Sequence, residues 1–69
     1  MSSFIDRLLE EKAELDQKIE KLSTFLVSEE AQEIDSIRLT LLNIQQHAML
    51  TYSQCLLERI NLLQAHNVN

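Results

Sequence analysis

Within "LLNIQQHAMLTYSQCLLERINLL", residues 41–63, Gln45, Tyr52 and Arg59 stand seven residues apart. On a helix that spacing brings an amide, a phenol and a guanidinium to one side at successive levels, a seam position. Such a column can act in two ways. As structure, a buried amide or phenol fixes the register and number of packed helices, while an arginine snorkels to water or pairs with a carboxylate. As chemistry, Tyr52 offers an aromatic face and Arg59 a planar fork that fits phosphate, and a cleft between symmetric copies multiplies both. An antiparallel hairpin puts Lys12 near the level of Tyr52, and Arg59 near Phe4 and Asp6. A lysine-to-carboxylate bridge is the alternative fate of Lys12.

No catalytic set emerges from the remaining polar residues. His47 falls on the polar side of its helix with Asn43, Gln54 and Glu58, and reads as a solvated histidine. Cys55 lies two turns away on another face, so a thiolate–imidazole pair within one helix is excluded. It falls on an apolar line and reads as an inert core thiol. Carboxylates follow the solvent side, and no hydroxyl has an adjacent base. One cysteine cannot form an internal disulfide, and His47 and His66 without a second thiol lack metal-ligand spacing. The expectation is a protein with no enzymatic activity, no metal and no cofactor.

The elements that carry these residues follow from composition. Glycine and proline are both absent, so tight turns and phosphate-cradling glycine loops lose their usual residues. Long helices remain. Ile5, Leu8, Lys12, Leu15, Ile19, Leu22 and Leu26 alternate steps of three and four, the seam of a helix packing along a partner. Ser2 or Ser3 can cap its start, with Asp6 three residues after Ser3. The segment "VSEEAQEIDS" breaks the pattern, and Asp35 followed by Ser36 offers the next cap. The prediction is an all-α, antiparallel two-helix hairpin in one domain over 1–69: helix 3–27, joint 28–35, helix 36–64. In the second helix Ile37, Leu41, Ile44, Ala48 and Cys55 form one apolar line. Leu42, Met49, Leu56, Ile60 and Leu63 form the next, and Leu39, Leu50 and Leu57 lie almost opposite. One partner helix covers only a stripe, and 69 residues bury too little to stand comfortably alone. A symmetric helical homo-oligomer is therefore expected.

A net charge of −5 gives no global attraction for a nucleic acid polymer or an anionic membrane, so an anionic ligand must be held locally. No apolar run is long enough to cross a bilayer, and the charged start "MSSFIDRLLEEK" differs from a signal peptide. A soluble, cytoplasmic protein is expected.

"RLLEEKAELDQKIEKLSTFL" followed by "LLNIQQHAMLTYSQCLLERI" resembles small tailed-phage and prophage proteins over almost the whole chain, the second helix carrying the more distinctive pattern "Q..AM..Y...L..RI". It is similar to the hairpin domain of phage anti-CBASS and Thoeris anti-defence sponges. That resemblance implies a symmetric oligomer in the host bacterial cytoplasm that sequesters cyclic di- or trinucleotide signals without cleaving them. The positions matching a ligand site are Tyr52, Arg59, Gln46 and Lys12. The sponges carry basic and aromatic residues around their helix joint, whereas "VSEEAQEID" is acidic, which argues against a site there. The alternative function is a structural or adaptor module whose polar interruptions only set register.

Overall fold

The computed structural model describes residues 3–67; Ser2, the alternative cap, and the His66 side chain lie outside what is described. Two helices, α1 (Phe4–Leu26) and α2 (Ser36–Asn67), are joined through a short 3-10 helix at Glu29–Glu33 and pack side by side as an antiparallel hairpin. Strands are absent among the described residues.

Helix α1 begins where its capping chemistry places it. Ser3 Oγ accepts from the Asp6 amide at 3.0 Å, and the Asp6 carboxylate accepts from the Ser3 amide at 3.3 Å, satisfying two donors that a helix start leaves free. At its other end Ser28 Oγ donates to the Phe25 carbonyl, and the chain turns through the 3-10 helix, whose Ala31 is buried. Asp35 then receives the Arg38 amide at 2.8 Å and starts α2. With neither glycine nor proline to stop it, α2 runs about a turn beyond the expected residue 64.

The seam of α1 is the expected one: Leu8 is buried, and Ile5, Lys12, Leu15, Ile19, Leu22 and Leu26 are half-buried. The facing seam of α2 holds the expected apolar line Leu42, Met49, Leu56, Ile60 and Leu63 but not the column of Gln45, Tyr52 and Arg59. It consists of Leu39, Leu42, Gln46, Met49, Ser53, Leu56, Ile60 and Leu63, again in steps of three and four. Its polar members are Gln46 and Ser53. Gln45, Tyr52 and Arg59 each precede a seam residue by one position, about 100° around the helix, and all three are exposed. The core itself is small, with Leu8, Leu56 and Ile60 buried and Leu15 and Leu63 packed against them.

Among the described residues, two side-chain hydrogen bonds cross between the helices. Ser53 Oγ donates to Asp16 Oδ1 at 2.6 Å, and Gln46 Nε2 donates to Ser23 Oγ at 2.7 Å. Both pairs of residue numbers add up to 69, so they define one register. Lys12 therefore sits near the level of Leu57 rather than Tyr52, and Arg59 near that of Glu10 rather than Phe4 and Asp6. The shift arises at the joint. A symmetric turn centred on the acidic segment puts the two helices about five residues out of this alignment; instead the 3-10 helix packs back on α1 and occupies the level of the first turns of α2.

Candidate functional site

Of the four residues singled out as ligand groups, Lys12 and Gln46 lie in the hairpin seam and Tyr52 and Arg59 on the outside of α2. One chain does not bring all four together. Lys12 Nζ donates to Asp16 Oδ2 at 2.6 Å while Ser53 donates to the other carboxylate oxygen, so Asp16 joins both helices. This is the lysine-to-carboxylate alternative. The Lys12 hydrogen bond, then that of Ser53, hold the Asp16 carboxyl below its ordinary value of 3.8, against a smaller opposing effect of burial. Gln46 is engaged by Ser23.

The Asp16 junction carries a pH signature. A carboxyl whose pKa is lower folded than unfolded adds stability that is complete above its unfolded value and disappears as pH falls through the folded one. Asp16→Asn should therefore melt lower than the wild type at neutral pH, with the gap shrinking below the ordinary aspartate value of 3.8. Thermal melts monitored by circular dichroism across that range check it; a gap that stays constant into acid would remove the charge-assisted role.

On the outer side, Tyr52 and Arg59 share a helix face about 10 Å apart along the axis. Gln45 lies one heptad before Tyr52, its Nε2 3.8 Å from Met49 Sδ, and Arg38 lies one heptad before Gln45. Arg38 is 81% exposed and only loosely paired with Asp35 at 3.7 Å. Sequence reasoning passes over Arg38, although the step 38, 45, 52, 59 contains it. Ile34, Arg38, Leu41, Leu42 and Gln45 line an open, mainly apolar groove of about 340 Å³, at the small end of ligand-site sizes. The acidic joint thus has an arginine beside it after all.

The adjoining face is apolar and uncovered. Ile37, Leu41, Ile44 and Leu62 are 58–74% exposed, and Ala48 and Cys55 lie exposed among them. Cys55 is thus not in the core of the hairpin: the apolar line that carries it faces away from α1. His47 is exposed, with Nδ1 2.8 Å from the Asn43 carbonyl, in keeping with a solvated side chain. Among the described residues no helix is long and apolar enough to cross a membrane, and no group of histidine, cysteine and carboxylate side chains could hold a metal.

The family model described as Sequestin matches residues 2–62, which takes in α1, the joint and most of α2. That match fits a phage anti-defence hairpin protein of the cyclic-nucleotide-sponge type, and the family's name points to sequestration, hence to binding rather than catalysis. No curated protein and no solved structure matches the chain.

Proposed function

We propose, because the chain belongs to the Sequestin family, that it sequesters a small phosphate-bearing signal, a cyclic di- or trinucleotide, at junctions between subunits without cleaving it. Its place of action is the cytoplasm of a phage-infected bacterium, where such signals are made. The observation that carries this reading is the exposure of Tyr52 and Arg59 on the side of α2 that α1 leaves uncovered. An aromatic face stacks on a base, and a guanidinium fork grips phosphate oxygens in two-pronged fashion. Neither is needed to hold the hairpin, and both stand beside an apolar surface large enough to be shared with another copy. Behind them Gln46 keeps α2 in register through Ser23, and Lys12 holds the Asp16 carboxylate that Ser53 of α2 meets. Sequestration needs no general base and no nucleophile. It needs affinity, and symmetric copies supply several equivalent sites.

Calorimetric titration with a panel of cyclic di- and trinucleotides, followed by chromatographic recovery of the bound nucleotide, tests the proposal. Tight binding with intact nucleotide returned on denaturation is expected. A folded oligomer that binds no member of the panel would favour the structural or adaptor reading instead.

A further inference from the structure

The chain exposes 5575 Å². A folded monomer of 8.0 kDa is expected to expose about 4,500 Å², so about 1,100 Å² is in excess, against roughly 800 Å² that each partner contributes to a standard interface. The excess reflects the rod-like form, 53 × 20 × 14 Å, and much of what it uncovers is the apolar face of α2. The most exposed members of that face are Ile37 and Leu62, near its two ends.

Sequence symmetry identifies what covers it. From Leu39 to Leu57 the helix carries no charged residue, and the midpoint of that span is Ala48, the smallest residue on the exposed apolar line. Two helices can approach closely there. Antiparallel pairing about Ala48 superimposes one uncharged span on the other, so no charge is buried at the centre. Parallel pairing in register also brings arginine to arginine, but it sets the two helix dipoles side by side in the same direction, whereas antiparallel pairing opposes them favourably. In an antiparallel pair related by a two-fold axis, each flank of the contact meets the same flank of the other copy. The column Arg38, Gln45, Tyr52, Arg59 reads almost the same in both directions, so Arg38 meets Arg59, and Gln45 meets Tyr52. The residue numbers of each meeting pair add up to 97, centred beside Ala48.

We propose that two copies of the chain pair antiparallel through the uncovered face of α2, about a two-fold axis at Ala48. The pairing assembles two equivalent phosphate sites, each from Arg38 and Gln45 of one copy and Arg59 and Tyr52 of the other. The ligand class rests on the sequestering reading above; the pairing does not. Two guanidinium groups brought together repel unless an anion lies between them, and the forked geometry of each suits phosphate oxygens. The carboxylates near these groups along α2 are Asp35, loosely paired with Arg38, and Glu58, which accepts from Gln54 at 2.9 Å. A bound phosphate displaces the first of these contacts and leaves the second in place.

Cysteine crosslinking tests the pairing without any ligand. Ala48→Cys in a Cys55→Ser background should oxidise to a covalent dimer, and Leu41→Cys should crosslink through the native Cys55 of the other copy. The wild type should not crosslink, because its two Cys55 thiols lie about 20 Å apart along the axis. Helical circular dichroism confirms that each variant folds. Failure of both engineered thiols to crosslink in folded protein, or ready crosslinking of wild-type Cys55, overturns the pairing. Titration with inorganic pyrophosphate tests the shared site. Arg38→Gln and Arg59→Gln should each bind at least tenfold more weakly than the wild type. Mixing the two should restore wild-type affinity at about one quarter of the wild-type stoichiometry, since half the dimers are mixed and each holds one intact site. A mixture that binds no better than its components overturns the shared site. Crosslinking and pyrophosphate complementation in a protein that ignores every cyclic nucleotide would instead overturn the sequestering function and leave this inference standing.

Discussion

Leu56→Ala is expected to lower stability by about 2 to 5 kcal/mol, the cost of emptying a leucine-sized space in a packed core. Leu56 has no exposed surface, and its neighbours Leu8 and Ile60 are the other buried residues of the cluster. A domain of 69 residues has a total stability on the order of 3 to 10 kcal/mol, so the variant should be largely unfolded at modest temperature. The matched control is Ile44→Ala. Ile44 is 58% exposed in the hairpin, and its truncation in an isolated chain should change little. In an associated protein the same change removes apolar area from the contact, so its penalty should grow with protein concentration while that of Leu56→Ala should not. Thermal melts of both variants over a wide concentration range separate the two surfaces. Equal and concentration-independent losses would mean that Ile44 packs inside its own hairpin and that the apolar line of α2 has been assigned to the wrong side.

The contrast between Leu56 and Ile44 also marks where sequence reasoning reached its limit. Helix α1 was legible because its charged residues lie opposite its apolar ones, so the three-and-four rhythm from Ile5 to Leu26 points in a single direction. Helix α2 has apolar residues on opposed sides, and periodicity alone cannot say which side meets α1 and which meets another molecule. Choosing the column of Gln45, Tyr52 and Arg59 as the seam misses by one residue. What favours the adjacent column is the burial of Leu56 and Ile60 against Leu8, joined by two cross-helix hydrogen bonds, Ser53 to Asp16 and Gln46 to Ser23, between residues that a helical projection counts merely as polar. A serine and a glutamine at seam positions are tolerated because each is satisfied by a partner on the other helix. The register was hidden for a related reason: its offset depends on how the 3-10 helix packs, and "SEEAQEID" carries no glycine or proline to announce a turn geometry. Of the candidate site, the spacing made legible that Tyr52 and Arg59 share one face of α2. Their placement outside the hairpin, and the membership of Arg38 in the same column, required the fold.

Arg59→Ala is expected to leave the hairpin's melting temperature nearly unchanged while weakening nucleotide binding by about 10- to 150-fold, the equivalent of roughly 1.5 to 3 kcal/mol for a charge-assisted contact. The separation of the two effects follows from its surroundings. The ion pairs among the described residues are Lys12–Asp16 and Arg38–Asp35, and Arg59 is exposed. Removing it therefore leaves no buried carboxylate without a partner, which is the usual route by which loss of an arginine destabilises a helix interface. Arg59→Lys should fall between wild type and alanine, because an ammonium keeps the charge but cannot reproduce the two parallel hydrogen bonds of a guanidinium. Tyr52→Ala should cost a comparable amount, about 1 to 3 kcal/mol, if a base stacks on the ring. It should do so with little dependence on salt, whereas the arginine effect should shrink as ionic strength rises. Affinity and melting temperature measured on the same preparations settle the role. An Arg59→Ala protein that melts several degrees lower, yet whose folded fraction binds nucleotide as tightly as wild type, would end the phosphate assignment and make Arg59 a structural contact of the assembly.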